Sequence, residues 1–159
     1  MVSHATHQTL AAYASAHLWR KLGAEADAAW AVDPTGQEVA YCCYVATLRD
    51  WLRLGLMLAH DGAWNGQQIV PRQYLLDGTT IAAGDDYLRR GEAGYGYQMW
   101  LLPGGGRTFA LAGRFGQWVF VDPAKRLVMA QTAVEMQTGE DAPASATFKL
   151  WRALVGEVN

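Results

Sequence analysis

The chain has 159 residues, of which 51% are hydrophobic and 18% charged, and these values indicate one folded domain over residues 1–159 rather than a disordered segment. The net charge of −2 and the lack of a basic run give no reason to expect nucleic acid as a partner. No apolar stretch approaches the ~20 residues of a membrane span, and residues 1–10 lack the pattern of a secretion signal, so we expect no membrane partner.

The first predicted element is a helix that begins after Thr9, a favourable capping residue, and runs to about Leu22. Its apolar residues recur every three or four positions, and Gly23 is typical of a helix stop. Residues 33–36, with the sequence Asp-Pro-Thr-Gly, predict a turn. The uncharged stretch from Val39 to Val45 favours a strand.

Thr47 caps a second predicted helix, whose apolar face includes Trp51 and Gly55. Its polar residues are expected to point outward: Arg49, Asp50 and Arg53. This helix ends at Asp61-Gly62, and an Asn65-Gly66 turn follows. A short third helix begins near Pro71, and the glycine-rich residues 78–94 predict a long surface loop.

The pattern changes to β-prone residues at Tyr95. We expect strands over Tyr95–Leu101, Thr108–Leu111, Trp118–Val121 and Leu127–Ala133, with a flexible Gly-rich tip between the first two. A last helix starts near Pro143 and presents apolar residues on one side: Phe148, Trp151, Leu154 and Val155. The predicted fold class is therefore α+β, an antiparallel meander of about three or four strands packed by helices.

Cysteine and histidine offer little for a metal site. Cys42 and Cys43 are adjacent, and we expect two small buried thiols because a bridge between neighbours strains the peptide that joins them. His4 and His7 have a spacing that metal ligands use on a helix, but no nearby carboxylate or thiol completes the set. We therefore expect neither a metal nor another cofactor.

A small independent enzyme could be built on His60 as a base, Asp61 as its orienting group and the acidic pair Asp85 and Asp86. We favour a simpler interpretation. His60 falls in the last turn of a predicted helix, where a cation suits the helix dipole, and the acidic pair belongs to a solvated loop.

A serine nucleophile is not evident in this sequence. The Ser-x-x-Lys arrangement, which brings an amine beside a hydroxyl, does not occur at any of the three lysines. The three serines also lie outside any Gly-x-Ser-x-Gly elbow: Ser3, Ser15 and Ser145.

Gly113 and Arg114 lie in the run LAGRFGQ, directly before an apolar strand. A glycine at a strand edge lets another group approach the backbone, and a main-chain N–H there can hold a developing oxyanion. A β-bulge that bends the meander would produce the same residues, so both interpretations stay open.

Several long stretches, read together, resemble the serine β-lactamase-like hydrolases, and within them the branch of 6-aminohexanoate-dimer hydrolases and related esterases. These stretches are LAAYASAHLWRKLGAEADAAWAVDPTG, VATLRDWLRLGLMLAHDGAWNGQQIVPRQYL, GYGYQMWLL and FALAGRFGQWVFVDPAKRLVMAQTAV. The resemblance extends from about Leu10 to the final helix. It implies that the chain is the C-terminal part of a β-lactamase/transpeptidase-like fold.

That family uses a Ser-x-x-Lys nucleophile and base, a Tyr motif, and a third motif on a strand that is usually Lys-Thr-Gly or His-x-Gly. By position the third motif here is Leu111-Ala112-Gly113, so the resemblance implies that the Arg114 backbone N–H forms half of the oxyanion hole. It also implies substrate-binding roles for four residues: Tyr44, Phe115, Gly116 and Gln117. Leu111 replaces the basic or imidazole residue, which suits the esterase and amidase branch and argues against recognition of a β-lactam carboxylate.

The resemblance begins after the point where the family's Tyr motif ends, so no residue here matches that Tyr, the nucleophile or its Lys. We therefore expect the C-terminal segment of a serine hydrolase that cleaves a small-molecule amide or ester through an acyl-enzyme, inactive alone. The alternative is a non-catalytic truncated module that self-associates or complements a companion N-terminal chain, because an exposed sheet edge invites pairing.

Overall fold

A computed structural model describes residues 2–80, 93–104, 106–134 and 145–157. The helices, in chain order, are α1 (Val2–Thr6), α2 (Leu10–Ala14), a π-helical turn (Ser15–Trp19), α3 (Arg20–Leu22), α4 (Leu48–Ala59), α5 (Arg72–Thr79) and α6 (Ala146–Glu157). The strands are β1 (Ala29–Trp30), β2 (Tyr44–Val45), β3 (Ala63–Trp64), β4 (Gln67–Gln68), β5 (Gly94–Gly96), β6 (Met99–Leu101), β7 (Phe109–Gly113), β8 (Gln117–Asp122) and β9 (Leu127–Gln131). Within these ranges, no helix is long and apolar enough to cross a membrane.

The first predicted helix is confirmed, with a π-helical turn between α2 and α3 that the sequence did not suggest. The Thr9 hydroxyl accepts a hydrogen bond from the Ala12 amide over 3.1 Å, as a capping residue should. Gly23 ends the helix in the left-handed conformation, with φ of 65°. The predicted 33–36 turn is also confirmed by a hydrogen bond from the Gly36 amide to the Asp33 carbonyl.

Helix α4 begins and ends where the sequence predicts, but Asp50 does not point outward. At the start of the helix, the Thr47 hydroxyl accepts a hydrogen bond from the Asp50 amide. After its end, the chain turns at Asp61 and Gly62, which both have positive φ. Asp50 is only 1% exposed because the segment after α3 packs over it, and the Glu25 amide donates to its carboxylate over 2.9 Å. The prediction for this residue was therefore wrong.

The main sheet has five antiparallel strands in the order β5-β6-β7-β8-β9, one or two more than predicted. The extra strand arises because Tyr95–Leu101 is not one strand but the hairpin β5–β6, which turns at Tyr97 and Gln98. Both turn residues have positive φ, as the type I′ form of a two-residue hairpin loop requires, although neither is a residue that usually marks such a turn. The predicted β8–β9 hairpin is confirmed.

Three other short elements bear on the predictions. Residues 39–45 form less strand than expected, since only Tyr44–Val45 is a strand, paired with β1. The Asn65-Gly66 turn is confirmed as the loop of the β3–β4 hairpin, and Pro71 immediately precedes α5. Asp85, Asp86 and Pro143 lie outside the described residues.

Side chains of β7, β8 and β9 alternate between the two faces of the sheet, and each face carries a core. The first core lies between the sheet and α4 and includes these buried residues: Met57, Leu58, Phe109, Val119 and Val121. The second lies on the other face, under α6: Leu102, Ala110, Phe120 and Trp151. This mixed architecture of helices on an antiparallel sheet confirms the α+β fold class.

Cys42 and Cys43 form a disulfide, which contradicts the prediction of two buried thiols. Cys43 is exposed and Cys42 is half-buried, so neither is a core residue. Cys43 adopts φ of 69°, a conformation outside the usual strand region.

Candidate functional site

A groove of about 340 Å³ opens at the end of the main sheet where β8 begins and β9 ends. Eight uncharged residues line it: Tyr44, Val45, Ala46, Trp51, Gln117, Thr132, Ala133 and Val134. Its size falls within the range of small-molecule sites. Among the lining side chains, Gln117 carries an amide, Tyr44 and Thr132 carry hydroxyl groups and Trp51 carries an indole N–H, whereas the valine and alanine side chains are apolar.

Tyr44 is held in the groove wall by three indole rings. Its ring contacts those of Trp30, Trp19 and Trp51 edge-on, at centroid distances of 4.9, 5.3 and 5.9 Å. Such edge-to-face contacts fix the orientation of an aromatic ring. Burial, and secondarily the negative charge of Asp50, raises the pKa of Tyr44, so the phenol is neutral at pH 7. The side chain is therefore a rigid, uncharged wall.

Gly113 and Gln117 are paired across the tip of the β7–β8 hairpin, and the three residues between them form the turn. Phe115 and Gly116 have positive φ, so the chain reverses tightly here. The Arg114 guanidinium lies 5.0 Å from the centre of the Phe115 ring. Gly113, Arg114 and Phe115 are all exposed, which leaves this end of β7 open to solvent.

The turn is attached to the edge of the sheet through Gly116. The Gln131 side-chain amide donates to the Gly116 carbonyl over 2.9 Å, and the Thr147 hydroxyl donates to the Gln131 oxygen over 2.8 Å. These bonds connect the turn to β9 and α6. The Arg114 amide, in contrast, makes no hydrogen bond to another residue of the described part of the chain.

The structure gives Gly113 a packing role in addition to its exposure. A Cβ atom at residue 113 would lie 3.1 Å from the Cβ and 3.8 Å from the Oε1 of Gln117. Directly opposed strand residues usually keep their Cβ atoms about 4.5–5.5 Å apart. The absence of a side chain at residue 113 therefore leaves room for Gln117 beside β7, and Gln117 also lines the groove.

Leu111, the first residue of the predicted strand motif, packs against the first core. It shares that face of the sheet with Phe109 and Val119, and its side chain is half-buried. The residue contributes apolar contact to the body of the fold, and it offers no charge to a ligand.

Tyr44 and Gln117 are therefore brought together in one groove, although they are far apart in the sequence. Gly113, Arg114, Phe115 and Gly116 adjoin this groove through Gln117 but do not line it. The catalytic and binding roles of these residues stay predictions.

Sequence reasoning missed most of the other lining residues. Thr132 could have been found from the β8–β9 register, because Trp118 pairs with Gln131, and Gln117 and Thr132 are the next residues of the two segments. Trp51 was recognised on the apolar face of α4, but nothing in the sequence distinguished a groove residue from a core residue there.

His60 and Asp61 do not form a base and its orienting group. The His60 Nδ1 lies 2.8 Å from the Leu56 carbonyl at the end of α4, which agrees with the predicted helix-end position. The Asp61 carboxylate instead pairs with Arg107 and with Arg72. In the ranges that the structure covers, no group of three or more potential metal ligands occurs.

Comparison with known proteins places this chain in a family. The family model described as Beta-lactamase matches residues 1–150. A solved structure of a provisionally assigned 6-aminohexanoate-dimer hydrolase from Bacillus anthracis superposes with a TM-score of 0.85 at 25% identity, over 96% of this chain and 39% of the other. A provisionally assigned β-lactamase from Bacteroides dorei DSM 17855 superposes with a TM-score of 0.54 at 12% identity, over 85% and 49% respectively.

The chain thus spans less than half the length of both structures. No curated protein matches the sequence. The second superposition supports the fold alone, whereas the family model covers nearly all of the sequence. The chain belongs to the Beta-lactamase family, with the fold of its hydrolases.

Proposed function

We propose that this chain forms one side of an acyl-transfer pocket, in a serine hydrolase that cleaves a small amide or ester through an acyl-enzyme. The observation that carries the proposal is the groove beside the exposed end of β7, lined by Tyr44 and Gln117. The superposition on a 6-aminohexanoate-dimer hydrolase from Bacillus anthracis supports an amide as one substrate class.

The reaction needs a serine that another segment supplies, because the sequence has no Ser-x-x-Lys arrangement. Attack by that serine on the substrate carbonyl creates an oxyanion. The Arg114 amide is the donor that meets it, since residue 114 is exposed and its amide has no hydrogen-bond partner among the described residues. Loss of one such donor costs roughly 3–4 kcal/mol, or about 10²–10³ in kcat.

The character of the groove favours uncharged substrates. Its lining residues carry no formal charge, and Leu111 packs into the core where the family's motif has a basic group. A substrate carboxylate would lose hydration in this groove without gaining an ionic partner. Neutral amides and esters are therefore the expected substrates, in preference to β-lactams.

A pair of variants at residue 114 separates the backbone donor from the side-chain charge. Arg114→Pro removes the N–H, whereas Arg114→Ala keeps it. Arg114 is not among the residues with positive φ, and it follows Gly113 at the end of a strand, so neither feature excludes proline there. With a companion polypeptide that carries a Ser-x-x-Lys segment, we expect Arg114→Pro to reduce ester hydrolysis about 10²–10³-fold and Arg114→Ala to change it little. Equal activity of the two variants would contradict the assignment of the donor.

Covalent labelling tests where the nucleophile comes from. The 159-residue chain alone is expected to resist a fluorophosphonate probe, and the companion polypeptide is expected to take the label once the two are combined. A probe adduct on Ser3, Ser15 or Ser145 would overturn this part of the proposal.

A second candidate function is a module that pairs with another chain, either a companion N-terminal chain or a second copy. In the described part of the chain, β9 pairs with β8 on one side and with no strand on the other. An open strand edge presents unpaired N–H and carbonyl groups to a partner.

Sedimentation velocity over a range of concentrations, combined with amide hydrogen exchange, tests this second function. Association through the edge should raise the sedimentation coefficient with concentration and slow exchange in β9 at the same time. A species that remains monomeric, with β9 exchange independent of concentration, counts against it.

A further inference from the structure

The disulfide between Cys42 and Cys43 lies directly before Tyr44, which is a wall of the groove. Cys43 is exposed as a residue and Cys42 is half-buried, so the bond lies at the surface and not in a core. Neither cysteine contributes to the two buried cores, and the proposed acyl transfer uses neither. The bond is therefore an exposed chemical group beside a candidate binding site with no role yet assigned.

The bond acts locally and adds little to the stability of the whole fold. A disulfide stabilises mainly by restricting the unfolded chain, and this effect grows with the length of the loop that it closes. Here the bonded residues are neighbours, so the unfolded chain loses very little freedom. What the bond does fix is the backbone at residues 42 and 43.

That backbone holds Tyr44 through a small set of contacts. Cys43 has φ of 69°, a region that residues other than glycine seldom occupy unless they are held there. The Ala31 amide donates to the Cys43 carbonyl, and the Trp30 indole N–H donates to the Cys42 carbonyl, each over 3.0 Å. The Trp30 ring also packs on Tyr44 at 4.9 Å. A change at the two cysteines therefore reaches the groove through Trp30 and Tyr44.

We propose that Cys42–Cys43 is a thiol–disulfide exchange site, through which a dithiol reductant moves Tyr44 in the groove. A thiolate of the reductant attacks the Cys43 sulfur, forms a mixed disulfide and releases Cys42 as a thiolate, which takes up a proton. The second thiol of the reductant then displaces Cys43, which also becomes a thiol. The protein gains two electrons and two protons, and the reductant leaves as its cyclic disulfide.

Once the disulfide is reduced, Cys43 is free to leave the left-handed region of backbone conformation. The carbonyl groups of residues 42 and 43 then move with it. We expect the hydrogen bond from Trp30 to Cys42 to weaken and the Tyr44 ring to shift against its indole neighbours. This inference does not depend on the proposed hydrolase activity, because every observation that carries it concerns the loop and the groove.

Two measurements on the 159-residue chain test the proposal, with dithiothreitol as the probe. Mass spectrometry after iodoacetamide should find no modified cysteine before reduction and two afterwards. In spectra of the ¹⁵N-labelled protein, reduction should shift the indole signals of Trp30 and Trp51. The indoles of Trp118 and Trp151 belong to the second core and should not move, so they report that the fold is intact.

A double variant, Cys42→Ser with Cys43→Ser, is the matched control. It should reproduce the indole shifts of the reduced protein without reductant and should not respond to dithiothreitol. If the variant does not fold, the reduced wild-type protein still decides the matter. Three results would overturn the proposal: free thiols after preparation in air, a bond that resists dithiothreitol in the folded protein, or a broken bond with unchanged Trp30 and Trp51 signals.

Discussion

At the scale of single residues, Asp50 is the buried charge that organises the start of α4. Its carboxylate accepts hydrogen bonds from the Thr47 hydroxyl over 2.8 Å, the Glu25 amide over 2.9 Å and the Arg53 guanidinium over 2.6 Å. Asp50→Asn keeps the shape but removes the charge that these donors face. We expect it to lower the free energy of unfolding by about 2–4 kcal/mol in urea titrations at pH 7.

The same residue gives the protein a predictable response to acid. Burial alone raises the pKa of Asp50, but its hydrogen bonds from Glu25, Thr47 and Arg53 outweigh burial and hold the pKa below its ordinary 3.8. The folded protein therefore binds fewer protons than the unfolded chain at low pH. This contribution is complete above about pH 5 and is lost as pH falls through the folded-state pKa.

Urea titrations between pH 6 and pH 3 should accordingly show a shallower loss of stability for Asp50→Asn than for the wild type. Hydrogen bonds from the Thr35 hydroxyl and the Ala11 amide also lower the pKa values of Asp33 and Glu38, respectively. Both groups remain in both proteins, so the difference isolates Asp50. Parallel pH profiles would contradict this account.

The burial of Asp50 could not be predicted from the sequence pattern of α4 alone. The apolar spacing of α4 was correct, and from that spacing alone Asp50 belonged with Arg49 and Arg53 on the outer face. It is buried because the segment after α3 crosses the helix and donates an amide to it. That contact joins residues in different elements, so no periodicity within α4 could reveal it.

At the scale of elements, the close approach of α4 to the sheet depends on Gly55. A Cβ atom there would lie 2.5 Å from a methyl carbon of Val128 and 2.9 Å from one of Val119. Both neighbours are β-branched and stiff, so the helix must move instead. We expect Gly55→Ala to destabilise the protein by about 1–3 kcal/mol despite the higher helix propensity of alanine, as measured by urea unfolding.

Gly156→Ala in α6 is the matched control, because no atom lies within 4 Å of the Cβ position there. Its effect should be neutral or slightly stabilising, by less than about 1 kcal/mol. Equal stability of Gly55→Ala and wild type would mean that α4 does not touch β8 and β9 as closely as described. The sequence assigned Gly55 to the apolar face of the helix but could not give the distance to the partner strands.

The β5–β6 hairpin could not be predicted from its local sequence either. Tyr97 and Gln98 adopt positive φ without being glycine, asparagine or aspartate, so local rules predicted one continuous strand. Contacts outside the turn stabilise it, since the Tyr97 ring packs on Tyr74 at 5.0 Å and the Tyr95 hydroxyl donates to the Gln98 side chain. The β8–β9 turn, which begins with Asp122-Pro123, was predictable because its residues favour a turn by themselves.

At the scale of the whole molecule, the sequence predicted the family, the helical span of residues 10–22 and both ends of α4. It did not predict α1, and it predicted only part of the groove. Tyr44 and Gln117 were identified through resemblance, and both line the groove. Thr132, Ala133 and Val134 were missed because they carry no distinctive chemistry. They reach the groove only through the way β9 pairs with β8 and the way α4 packs against the sheet.

One sheet separates the two cores, so we expect the molecule to unfold as a single unit. Val119 and Phe120 are neighbours in β8, yet the first packs in the core under α4 and the second packs with Trp151 under α6. Disruption of either core therefore exposes one face of the same strands to solvent and destabilises the sheet that both cores share. Trp151→Ala should lower the free energy of unfolding by about 3–5 kcal/mol, because it removes a large buried side chain.

In urea, far-ultraviolet circular dichroism and tryptophan fluorescence should report one coincident transition, and Trp151→Ala should move both to the same lower midpoint. Leu150→Ala, on the 55% exposed neighbour in α6, controls for the helix itself and should move the midpoint little. Two separated transitions in the Trp151→Ala variant would mean that α6 and its core unfold independently. In that case α4 and the first core would be enough to hold the sheet, and with it the groove.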